Sequence, residues 1–157
     1  MKRFLFQKLF VLFAISSQAT PIEQLINPYV ELKNALVTGQ FEAGQTAAEK
    51  LHKASQNKDL FKGTVQAATY AKYQSTLVKL AKTVSTSTTL EAQRKAFAAL
   101  SLELISMLDE QKNWGITLYQ FCCPMKKAYW ISLENEVRNP YYGTKMLDCG
   151  KMEKVVK

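Results

Sequence analysis

Histidine is almost absent from this chain: His52 is the only one in 157 residues. A hydrolytic triad built on imidazole would have to rest on that residue alone, and no partner in the sequence orients it, so it reads as an ordinary surface residue. Zinc is disfavoured as well, because paired Cys-x-x-Cys or His-x-x-x-His arms are missing. Glycine and proline are sparse, at six and four residues. No Gly-x-Ser-x-Gly elbow or phosphate loop occurs, and no internal repeat or low-complexity tract stands out. The acidic residues Asp109, Glu110, Glu134 and Glu136 read as solvated rather than as a catalytic carboxylate pair, since nothing positions a substrate near them. These absences argue against an enzyme.

Long hydrophobic runs are lacking too. The longest apolar stretch, Leu9 to Ile15, is far shorter than the ~20 residues of a membrane-spanning helix. With Lys2, Arg3 and Lys8 before or beside it and Ser17 and Ala19 before Thr20-Pro21, the segment Met1 to Ala19 reads as a signal peptide, residues 1–19, exported to the periplasm or secreted. No membrane insertion is expected after its removal. Cleavage would take away three basic residues and no acidic ones, lowering the formal charge from +8 to +5. The remaining basic residues are scattered, in pairs such as Arg94-Lys95 and Lys126-Lys127, too short for a nucleic-acid track. A hydrophobic fraction of 47% suffices for one core, so residues 20–157 are expected to form a single domain.

What is present is helical periodicity. Asn27-Pro28 reads as a helix opening, with Tyr29, Leu32, Leu36 and Val37 on one face and Gly39 at its end. A second helix runs from Gln40, with Phe41, Gly44, Ala47, Ala48 and Leu51 at helical spacing, to the polar Asn57-Lys58-Asp59. A third spans Thr64 to Val84, its seam made by Tyr70, Tyr73, Leu77, Leu80 and Val84. Thr88 with Glu91 forms a capping-box signature for the fourth, whose seam is Phe97, Leu100, Leu104 and Met107 and which should end near Asn113-Trp114-Gly115. Short connections then predict an all-α, up-down four-helix bundle. After it, about residues 116–152 should form an ordered, mostly irregular segment, with short extended stretches over Ile116 to Phe121 and Ala128 to Leu133.

That segment holds all three cysteines. Cys123-Pro124-Met125 and Met146-Leu147-Asp148-Cys149 bracket the turn Asn139-Pro140-Tyr141-Tyr142-Gly143. Thiolate and thioether are soft donors, so Cys123, Met125, Met146 and Cys149, if folded together, would suit Cu(I) or a similar soft cation. Trp130, Tyr141 and Tyr142 would wall such a site from water, with Met152 or Cys122 as a spare ligand. The competing reading is a structural disulfide. Cys122 and Cys123 are neighbours, whose mutual bridge is strained, so one of them would pair with Cys149. Spacing leaves both readings open, and leaves open which of Cys122 and Cys123 is used.

These motifs, with Gln93-Arg94-Lys95-Ala96-Phe97-Ala98-Ala99-Leu100-Ser101, resemble DUF3347, a domain family of unknown function, over about Tyr29 to Met152. Cys122 is an addition to that family's single Cys before Pro-Met. Members are small exported proteins, many from Bacteroidetes-type bacteria, and domains attached to CusB-like adaptors of copper and silver efflux pumps. The resemblance implies heavy-metal handling: a periplasmic Cu(I) or Ag(I) binding protein whose partner is an efflux adaptor. The alternative is a non-metal interaction module of the envelope with a disulfide-stapled tail.

Overall fold

The computed structural model describes residues 18–157; most of the expected signal peptide, residues 1–17, lies outside them. Four helices come first, α1 (Pro21–Thr38), α2 (Phe41–Ser55), α3 (Ala67–Ser85) and α4 (Leu90–Glu110). Each packs on its predecessor; the first and third connections are short, and the second runs through residues 56–66. The expected seams face the interior: Tyr70, Leu77 and Val84 of α3 and Phe97, Leu100, Leu104 and Met107 of α4 are buried, while Tyr73 and Leu80 of the α3 seam are only partly buried against that core. His52 is a link between helices, its Nδ1 on the Val78 carbonyl at 3.0 Å and its Nε2 on the Gln56 amide.

Helix α1 begins earlier than Asn27-Pro28. Thr20 and Glu23 make a capping box, the Glu23 carboxylate accepting from the Thr20 N–H at 2.7 Å, and Pro21 occupies the first turn. Pro28 therefore lies inside the helix. It deprives the Gln24 carbonyl of an intrahelical donor, a cost offset by burying Leu25, Ile26 and Tyr29 on the same face. Gly39 ends the helix as expected, at φ 73. The cap of α4 is Thr89, one residue after the expected Thr88, with its hydroxyl accepting from the Ala92 N–H at 3.1 Å. Helix α4 stops at Glu110, short of the expected end. The Trp114 indole then folds back and donates to the Leu108 and Gln111 carbonyls.

The expectation of an all-α chain needs correction. The segment after α4 forms a three-stranded antiparallel sheet in the order β2-β1-β3, from β1 (Leu118–Cys123), β2 (Ala128–Ser132) and β3 (Lys151–Val156). The two extended stretches read from the sequence are β1 and β2, a hairpin closed through Pro124–Lys127 with Lys127 at φ 50. Strand β3 was not expected. Its residues are exposed except Val156, so it has no buried alternation to read, and its register on β1 is interrupted by a bulge at Gln120/Phe121.

The sheet is sewn to the helices by two buried polar side chains of α1. Tyr29 stacks on Phe97 at 5.1 Å, shares a 2.7 Å hydrogen bond with Ser101 of α4, and accepts from the Ile131 N–H of β2. That bond covers an otherwise free donor on an edge strand. Lys33 is fully buried, its ammonium donating to Ser132 at 3.1 Å, and no carboxylate lies within ion-pair distance among the described residues. Burial holds its pKa below the ordinary lysine value; the Glu134 charge opposes this, Arg138 adds to it and Glu136 opposes it. Below the folded-state pKa the cost of this charge is present in full. Between that pKa and the ordinary one the unfolded chain binds more protons, so stability rises with pH. Replacing Lys33 with Met is expected to stabilise the fold by about 1–2 kcal/mol at neutral pH, an advantage that shrinks as the pH rises towards 10 in paired thermal melts.

Candidate functional site

Cys123 ends the central strand β1 and is fully buried. Consecutive strand residues leave opposite faces, so Cys122 points away from Cys123. Cys122 lies beside Tyr129, whose phenol it holds above the ordinary range, first through its charge and then through a hydrogen bond. Phe121 and Trp130, register partners across the hairpin, share the Cys123 face and stack at 5.4 Å. Tyr141 meets Trp130 edge-on at 6.0 Å and Phe97 at 5.9 Å, and its hydroxyl donates to the Tyr129 carbonyl. Its pKa stands well above the usual range because of burial, then the neighbouring Tyr29.

The second arm returns through Asn139. Its side-chain oxygen accepts from the Tyr141 and Tyr142 N–H groups, an Asx turn, while its amide donates to the Cys149 carbonyl at 2.5 Å and its backbone N–H to Leu147. The chain between passes through a short 3-10 helix (Gly143–Lys145), and the Cys149 N–H closes a turn on Met146. Gly143, at φ 59, is required there: a Cβ would stand 2.8 Å from the Val37 carbonyl and 2.5 Å from the Arg94 guanidinium. That guanidinium donates to the Leu36 carbonyl near the end of α1. Gly150 lets the arm descend onto the sheet, since a Cβ would stand 2.7 Å from the Trp130 ring.

The result is a sulfur pair. The sulfurs of Cys123 and Cys149 lie 3.8 Å apart, both as free thiols. A disulfide would need ~2.0 Å, so the two sulfurs are in contact without being bonded. At that separation one soft cation could touch both sulfurs. Burial, then the hydrogen bond and charge of Cys123, pushes the Cys149 thiol above its ordinary pKa.

Of the four sulfur residues expected to converge, the two cysteines meet. Met125 lies in the β1–β2 turn, 64% exposed, and Met146 is half-buried after the 3-10 helix. Met152 is exposed on β3. Among the described residues no three His, Cys, Asp or Glu side chains gather into a ligand cluster. Asn139, the residue that ties the two arms together, was legible only as part of a turn.

The chain matches the family described as "Protein of unknown function (DUF3347)" over residues 25–113. It belongs to the DUF3347 family. The DUF3347 match spans α1 from Leu25 through α4 and ends before β1, short of the sulfur motifs, whereas the resemblance in the motifs extends to about Met152. What the family match covers is the helical scaffold; the cysteine pair stands on its geometry alone. No curated protein and no solved structure matches the chain.

Proposed function

We propose that this DUF3347 chain is an exported soft-metal protein: Cys123 and Cys149 hold Cu(I) or Ag(I) as cargo, for metal resistance or for delivery to an efflux adaptor in the periplasm. The role is binding, not catalysis. The observation that carries the reading is the 3.8 Å separation of two thiols delivered by different arms of the chain. Soft donors prefer Cu(I) and Ag(I) to hard ions. Met125 and Met146, two residues after Cys123 and three before Cys149, supply thioethers at the ends of the same arms. Trp130 and Tyr141 exclude water from the buried side.

Because the raised pKa keeps Cys149 protonated at neutral pH, loading releases at least that proton. Apparent Cu(I) affinity is therefore expected to rise with pH by about tenfold per unit for each proton released, until the thiol titrates. Titrating the reduced protein against a Cu(I) chelator at several pH values checks this. A pH-independent affinity, or none, contradicts the reading.

The same pair favours a second state. Loss of two hydrogens to an oxidant would join the sulfurs, and the arms need move only by the difference between 3.8 Å and a bonded ~2.0 Å. The oxidised chain would then be a stapled interaction module without metal affinity, and intact-mass measurement with and without reductant separates the two states.

A further inference from the structure

A second feature lies at the opposite end of the helical bundle from Trp114. The first turns of α4, the β1–β2 turn and the 3-10 helix enclose a cleft of about 860 Å³. Arg94, Lys95, Lys126 and Lys145 line it, against one carboxylate, Glu91. All the ion pairs among the described residues lie elsewhere, on Lys50, Lys62, Lys72, Lys82, Lys151 and Lys154. Four cations therefore share a concavity with one acid and no salt bridge. The Lys126 ammonium sits 5.4 Å over the ring of Tyr142, which holds it over the cleft wall. The guanidinium of Arg94 is partly committed to the Leu36 carbonyl, but its buried Nε has no partner.

We propose that this cleft binds an acidic peptide segment of a partner protein. A compact anion would be held best by a free guanidinium fork, and here one arm of the fork, Nη2, is already committed to the Leu36 carbonyl. The three lysines are exposed point charges on three separate chain segments, an arrangement suited to a run of separated carboxylates. The volume exceeds what one phosphate or sulfate fills, and lies within the roughly 300–1,000 Å³ of sites that enclose larger ligands. Lys126 shares the hairpin turn with Met125, so a partner seated here would stand beside the outer end of the sulfur arm. The inference does not require metal binding.

The test uses the full exported chain without metal, titrated with a fluorescent hexaglutamate peptide by anisotropy. Saturable one-to-one binding is expected, weakened by high salt. Lys126→Glu with Lys145→Glu should weaken it by about tenfold or more. Lys58→Glu with Lys112→Glu changes the charge equally at the far end of the bundle and should leave it unchanged. Lys126→Gln with Lys145→Gln, expected to weaken binding less, serves should the double reversal lose its helical circular dichroism. Equal weakening by the distant control, absence of saturation, or displacement of the peptide by equimolar inorganic phosphate would each overturn the proposal. Because the chain carries no metal in this test, its failure leaves the cysteine reading untouched.

Discussion

A protein with serine at both 123 and 149 is expected to bind Cu(I) at least a thousandfold more weakly than the parent, roughly 4 kcal/mol of binding free energy. Serine keeps the size of cysteine but replaces a soft donor with a hard one, and neither Met125 nor Met146 can supply a thiolate. Burying a hydroxyl at the fully enclosed Cys123 site costs about 1–3 kcal/mol of stability, so the helical circular dichroism of the variant must be matched to the parent before the affinities are compared. Cys122→Ser is the internal control. Its sulfur leaves the other face of β1, so affinity should stay within a few-fold of the parent. Equal loss in both variants would mean that the wrong thiol has been assigned.

Trp130→Ala is expected to be the most destabilising single substitution, by about 3–5 kcal/mol, the range for removing a buried aromatic side chain. Trp130 is fully buried, stacks on Phe121, meets Tyr141 edge-on, and supports Gly150 next to Cys149. Its loss would open a cavity beneath the sheet while leaving the Tyr29–Phe97 contact between α1 and α4 in place. The melting temperature should fall by roughly 10–20 °C, and the Cys123 and Cys149 thiols should react faster with an aromatic disulfide reagent. Trp130→Phe discriminates packing from hydrogen bonding. The indole N–H is buried without a partner, so phenylalanine loses no hydrogen bond and should cost about 1–1.5 kcal/mol. A loss as large as that of alanine would contradict this account of the residue.

The helices are readable because their seams repeat at helical spacing over several turns: Tyr70, Leu77 and Val84, then Phe97, Leu100, Leu104 and Met107, are interior, with Tyr73 and Leu80 at the margin of the core. Boundaries were less readable where two local signals compete. Thr20-Pro21-x-Glu23 and Asn27-Pro28 both announce a helix start, and the first prevails because its capping box forms and the face after it is buried deeply enough to tolerate an internal proline. Strand β3 carried no signal, since an exposed strand joined to its neighbour by backbone hydrogen bonds needs no apolar pattern. The cysteine pairing was legible as a possibility from the motifs. The choice of Cys123 over Cys122 was not, because it depends on which face of β1 turns toward the returning arm, a property of register and not of spacing.

The central claim is that Cys123 and Cys149 together form a soft-metal site, and X-ray absorption at the copper edge of the reduced protein loaded with one equivalent of Cu(I) tests it most directly. The account predicts a first shell made of sulfur, lost when both cysteines are serine and retained in Cys122→Ser. A shell of nitrogen or oxygen, or a sulfur shell that survives the double substitution, would contradict it.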